Sequence, residues 1–224
     1  MSVTYRKINP SRYEDIKIYF SMQQELDDML STNCNLPNAE KIKWQRIRMG
    51  ATELRDDWNE DNYWYKEKLE QVADEYAFIC EDKDTVVGYI SVCTYHIVNG
   101  DRPNDDIGII DAIYVKDNYR GTDIAYNLLQ LGLKALINAG KNKSIVTVQQ
   151  DNPNRFLHFA LADSLLNKSK CKRKNGTVTI SYDLLISDIK KVANMSSLEI
   201  GERAVKIRTK ICKEKQEEPI FIQE

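Results

Sequence analysis

From Val3 to Ile8 apolar and polar residues alternate with the two-residue period of a short strand. After Pro10 the spacing turns helical over Ser11 to Met29, with Ile16, Tyr19, Phe20 and Met29 among the apolar positions. A second helix is predicted from about Ala39, because Trp44, Ile47, Ala51, Leu54 and Trp58 stand at offsets 0, 3, 7, 10 and 14 and share one face. A third, from about Asp61 to Ala73, carries Tyr63, Trp64, Tyr65 and Leu69. The period then shortens: Ala77 to Glu81 and Thr85 to Ile97 flank Asp82-Lys83-Asp84 as an antiparallel hairpin. Ile107 to Val115 is a nearly continuous apolar run, the pattern of a central strand, interrupted only by Asp111. A turn over Lys116 to Gly121 leads to a helix from about Asp123 to Asn138, with Ile124, Leu128, Leu131 and Ala135 in register and Gly140 as its stop. Ser144 to Gln149 reads as a strand, Pro153 to Asn167 as a helix, and Cys171 to Leu185 as a strand pair around Asn175-Gly176.

This order predicts a mixed α/β fold with a β-α-β unit at its centre. Residues 1–186 form the expected domain, and 187–224 a C-terminal helical extension. In that extension Ile200, Ala204, Ile207 and Ile211 stand at offsets 0, 4, 7 and 11 of a helix from about Ser197 to Gln216. Their stripe suits docking on the same domain or a homodimer through the C-terminal helix, and the sequence does not choose.

Composition narrows the classes. With 42% apolar and 29% charged residues, 9 Gly and 5 Pro, the chain has the profile of a globular domain able to bury a core. Five scattered cysteines without a C-x-x-C pair and only two histidines support neither a disulfide framework nor a zinc site. No signal-peptide core and no apolar run near the roughly 20 residues of a bilayer span is present, so a cytoplasmic protein without a membrane partner is expected. The net charge of −2 disfavours a generic nucleic-acid binder. A local basic segment leaves that partner open: Lys168 to Lys215 holds thirteen Lys/Arg against five Asp/Glu. It suits ligand phosphates, nucleic-acid phosphates or simple solvation.

The chemistry concentrates in Asp111 to Leu129, where a basic, glycine-containing turn joins a buried strand to a helix N-terminus. Unpaired first-turn N–H groups and the helix dipole make such a turn an anion site, with phosphate the natural guest. Asp111, alone in its apolar run, is expected to be partly desolvated and so a candidate base, or else a carboxylate bonded to a neighbouring backbone amide. His158 on the following helix either packs or faces the reacting group. Acidic and aromatic residues interleave at Asp56, Asp57, Trp58, Glu60, Asp61, Tyr63, Trp64 and Tyr65, which suits a cationic amine or a solvated helix corner.

The segment Arg120-Gly-Thr-Asp-Ile-Ala125 resembles the R/Q-x-x-G-x-G/A signature of the GCN5-related N-acetyltransferase (GNAT) superfamily. Arg120 and Ala125 match, whereas Asp123 stands where the family prefers glycine. The similarity in element order runs from Tyr76 to about Leu185. It includes the hairpin with Val86 to Ile90, and Val148 followed four residues later by Asn152. The resemblance implies a mostly antiparallel sheet with a central splayed parallel strand pair flanked by helices. It further implies acetyl-CoA as co-substrate, no metal, and acetyl transfer to an amine by direct attack. Ile113 and Val115 would pair with the cofactor's pantetheine arm, and Arg120, Gly121, Thr122, Asp123, Ile124 and Ala125 would hold its pyrophosphate. Asn152 would contact the arm and Asp111 would serve as base. Phe159 stands where many members carry a proton-donating tyrosine, so the acid is unassigned. Asp123 and Phe159 also fit a GNAT-fold binding module without catalysis, and the basic segment fits a nucleic-acid-linked acyltransferase.

Overall fold

The computed structural model describes residues 2–9, 12, 14, 15, 17–19, 21, 22, 25, 26, 75–94, 106–150, 152, 154–172 and 178–214. Its strands are β1 (Val3–Lys7), β2 (Glu75–Asp82), β3 (Thr85–Cys93), β4 (Ile107–Val115), β5 (Lys143–Gln149), β6 (Ser164–Lys172) and β7 (Val178–Ile186). Its helices are α1 (Ile124–Asn138), α2 (Arg155–Leu161), α3 (Ile189–Ala193) and α4 (Ser197–Glu214). The described positions from 14 to 26 are also helical. The helices predicted from Ala39 and Asp61, and the Asn175-Gly176 turn, lie outside the described residues.

The strands form one sheet in the order β1-β2-β3-β4-β5-β7-β6. Every neighbouring pair is antiparallel except β4 and β5. That pair is parallel because α1 carries the chain back across the sheet, the crossover that parallel strands require. Alternation along β3 sends its side chains to opposite faces. Ile90 and Val92 point at α1, close enough that a Cβ on Gly132 would lie 2.7 Å from Ile90 Cδ1. Tyr89 points the other way and meets Tyr19 edge-on at 6.3 Å. The apolar face of α1, including Leu128, Leu133 and Leu136, is buried in the main core. Gly140, at φ +81°, ends this helix: its N–H reaches Ile137 O while the Lys141 N–H reaches Leu136 O, and glycine takes that conformation without steric cost.

The helix expected over Pro153 to Asn167 is shorter than its pattern. It stops at Leu161, Ala162 turns extended, and the chain from Ser164 joins the sheet as β6. Asp163 fixes this exit, its Oδ2 accepting from the Ser187 amide at 2.9 Å and the Ser187 hydroxyl at 2.6 Å. These bonds and the pairing of β6 with β7 outweigh the helical spacing. C-terminal to β7, Ile189, Val192, Met195 and Ile200 belong to the same buried cluster as the sheet residues. Tyr126 on α1 donates to Met195 O at 2.8 Å, and Arg203 on α4 donates to Ala160 O on α2 at 3.3 Å.

Candidate active site

β4 and β5 pair only over their first halves, Ile107 to Ile110 against Lys143 to Val146. Beyond that point β4 continues on β3 to Val115, β5 continues on β7 to Gln149, and the two diverge. The cause lies in the opposite ladder. Ser91 pairs with Ala112 but Val92 pairs with Ile110, so Asp111 is the extra residue of a β-bulge. A bulge bends its strand and re-aims the extra side chain. Lys116 donates its amide to Val87 O on β3. By alternation, Ile113 and Val115 present their backbone groups to the side from which β5 has departed.

Two cavities open there. The first, of about 210 Å³, is lined by Ile113, Val115, Arg120, Gly121, Thr122, Ala125 and Asn152, with Tyr119 and His158. Seven of the nine residues expected to hold the cofactor therefore come together. The other two send their side chains elsewhere. Ile124 enters the core, and Asp123 lines a separate open groove with Leu198, Gly201 and Val205 of α4. Asp123 is the N-cap position of α1 and makes no side-chain capping bond. Its carboxylate turns away from the first cavity, which relieves the repulsion a phosphate there would meet. Gly121 has φ +77°, a backbone that favours glycine, and a Cβ on it would meet nothing within 4 Å.

Arg120 is fixed at the mouth of this cavity. Its Nε donates to Val115 O at 3.0 Å, and its Nη2 pairs with Asp117 at 2.7 Å. Tyr119 holds the same turn from below by donating to Asp82 Oδ2 at 2.9 Å, and that hydrogen bond raises the phenol's pKa above its ordinary value. The turn is therefore preorganised around backbone N–H groups at the start of a fifteen-residue helix.

The second cavity, of about 150 Å³, is lined by Leu26, Asp111, Ile113, Thr147, Gln149 and Asn152 among others. Asp111 is exposed here, a correction to the partial desolvation expected from its apolar neighbours. The bulge and the parting of β5 open its side chain to the cavity. Ser91, itself fully buried, donates to Asp111 Oδ2 at 3.2 Å.

Ile113, Asn152 and His158 line both cavities, so the two meet at these residues. Asn152 Oδ1 accepts the Asn154 amide at 2.8 Å, and His158 Nδ1 lies 3.1 Å from Asn154 O. His158 is buried, and burial lowers its pKa below the ordinary histidine value while the Asn154 carbonyl opposes that shift. Sequence spacing left His158 undecided between packing and facing the reacting group; only the folded position of α2 puts it at the junction. Phe159 turns to Tyr182, ring centroids 5.5 Å apart, and carries no proton to donate. The acidic-aromatic segment from Asp56 to Tyr65, and His96, lie outside the described residues. Among the described residues, no group of three or more His, Cys, Asp or Glu is placed to hold a metal ion, and no helix is long and apolar enough to cross a membrane.

The parted sheet, the glycine turn and the start of α1 thus build one continuous cleft. The family model described as the acetyltransferase (GNAT) family matches residues 42–158, and the chain belongs to that family. Acetyl transfer is thus its reaction class. Solved structures share the fold at low identity. PaiA N-acetyltransferase from Thermoplasma acidophilum, in complex with coenzyme A, is 14% identical, with 81% of this chain and 98% of that one covered at a TM-score of 0.51. YncA from Salmonella typhimurium, with its cofactor acetyl-CoA, is 13% identical over 84% and 94% of the two chains at 0.54. A GCN5-related N-acetyltransferase from Rhodopseudomonas palustris is 14% identical over 84% and 96% at 0.51. No curated protein matches the sequence.

Proposed function

We propose that the protein transfers the acetyl group of acetyl-CoA directly to an amine. The observation that carries this reading is the meeting of a cavity ending on the Arg120–Ala125 turn with a second cavity containing Asp111, at the point where β4 and β5 part. The first cavity would take part of the cofactor, its pantetheine arm and pyrophosphate. Pyrophosphate would rest on N–H groups of the turn and of the first turn of α1, where the dipole favours an anion. The pantetheine arm would add to the exposed edge of β4 at Ile113 and Val115 like an extra strand. Because Arg120 occupies Val115 O, the groups offered there are the Val115 N–H and both backbone groups of Ile113. Asn152 uses Oδ1 to hold its own turn and so offers Nδ2 to the arm.

The second cavity suits a cationic amine. Asp111 attracts an ammonium, takes its first proton directly or through water, and so frees the lone pair that attacks the thioester carbonyl. Its exposure lets that proton pass on to solvent.

Calorimetric titration with acetyl-CoA tests the cofactor half. Thiol release in the presence of spermidine, kanamycin or a lysyl peptide tests the acceptor half. Micromolar binding with amine-dependent release above hydrolysis is expected. Absence of acetyl-CoA binding would overturn the reading.

A further inference from the structure

Acetyl transfer from a thioester to an ammonium removes two protons from nitrogen, and Asp111 accounts for the first. The second must leave the attacking nitrogen, and the departing sulfur must gain one. Among the described residues, His158 is the one ionisable side chain that lines both cavities. A carbonyl oxygen only accepts, so the 3.1 Å contact with Asn154 O places a hydrogen on Nδ1. In the neutral ring that leaves the lone pair on Nε2. The ring is held at both levels: Asn154, which accepts from Nδ1, is itself fixed through its amide by Asn152 Oδ1. Burial keeps the imidazole uncharged and able to accept.

We propose that His158 is a catalytic residue that carries this second proton from nitrogen to sulfur. As the N–C bond forms, Nε2 takes the proton from the attacking nitrogen. As the C–S bond breaks, the imidazolium returns that proton to the sulfur, yielding amide and free thiol. The imidazole ends as it began, and no further reactant is required. The assignment rests on the acetyl-CoA reading above and supplies the acid that Phe159 cannot be.

The test exploits the presence of only two histidines in the chain. In a His96→Gln protein, the imidazole nitrogen spectrum belongs to His158 alone. The expected spectrum shows the Nδ1-protonated tautomer, with an Nε2 resonance that moves on saturation with CoA and stays in place with desulfo-CoA, which lacks only the sulfur. Saturation by CoA, seen in the Gly121 amide signal, with Nε2 unmoved would overturn the assignment and leave the acetyl-CoA reading standing. No CoA-induced change at Gly121 would overturn both. In the thiol-release assay, His158→Gln is expected to lower kcat about 100-fold while the KM for acetyl-CoA stays within about twofold. An unchanged kcat would also overturn the assignment.

Discussion

Ser91 and Asp111 join across β3 and β4 through a 3.2 Å hydrogen bond, although the serine is fully buried and the aspartate exposed. The bulge sets up this contact: Ser91 pairs with Ala112 and Val92 with Ile110, so Asp111 is the extra residue, and a bulge re-aims that side chain. The hydroxyl donates and so fixes how the carboxylate faces the second cavity.

Removing the charge at this point separates its role from its shape. Asp111→Asn is expected to slow amine-dependent thiol release by about 100-fold without altering acetyl-CoA affinity. Ser91→Ala removes one hydrogen bond of about 1 kcal/mol and should slow release only several-fold. A full rate in Asp111→Asn would take the carboxylate out of the mechanism.

Gly88 sits opposite Val115 and packs under the start of α1. A Cβ there would lie 3.0 Å from Tyr114 O, 3.1 Å from Leu128 Cδ1 and 3.3 Å from Ile124 Cγ2. A backbone oxygen cannot yield as a flexible side-chain tip can. Gly88→Ala should therefore cost about 1–3 kcal/mol in urea unfolding and weaken acetyl-CoA binding by displacing the start of α1. Gly201→Ala on α4 is the contrast: its Cβ meets nothing within 4 Å, and alanine should gain up to about 1 kcal/mol in a helix interior. Equal effects at the two sites would show that the crowding at Gly88 is unimportant.

Much of this architecture is legible in the sequence, for reasons visible residue by residue. Local pattern and tertiary structure agree at the β2-β3 hairpin, at the long apolar β4, and at α1 with its Gly140 stop. They disagree after Leu161, where Leu165 and Leu166 read as helix but stand exposed on β6, placed by pairing with β7 and by Asp163. The Arg120–Ala125 turn is readable because contiguous residues build it. The junction of the two cavities is not, because Asp111, Asn152 and His158 converge through a bulge and a strand divergence that leave no local signature. The same bulge explains why Asp111 is exposed although its neighbours along the strand are apolar.

Asp123 offers a sharp check on the proposed phosphate site. In sequence its carboxylate stands in the signature turn, yet its side chain faces α4 rather than the first cavity. Exposed and turned away, it should repel a bound pyrophosphate only weakly through solvent. Asp123→Asn is expected to change acetyl-CoA affinity by less than about threefold in calorimetry at 0.1 M salt. A gain of tenfold or more, about 1.4 kcal/mol, would place the carboxylate beside the phosphates instead.

The buried carboxylate of Asp15 links the N-terminal helical segment to the sheet and makes stability depend on pH. Arg6 on β1 donates Nη1 to Asp15 at 2.9 Å and Nε to Glu81 on β2 at 3.1 Å, while the Asn9 amide donates to Asp15 at 2.8 Å. Burial by itself raises the Asp15 pKa, but the Arg6 and Asn9 hydrogen bonds more than reverse this, and the net value lies below the ordinary 3.8. A carboxyl with a lower pKa folded than unfolded contributes stability that is complete above the unfolded value and lost as pH falls through the folded one. The unfolding free energy should therefore decline on acidification below about pH 5, and Asp15→Asn should flatten that decline. Arg6→Ala leaves the aspartate buried without its cation and is expected to cost about 3 kcal/mol at pH 7. That loss should shrink at pH 3 as the carboxyl takes up a proton. Urea titrations at both pH values decide the matter: a loss equal at pH 7 and pH 3 would mean that Arg6 acts by packing and not by pairing.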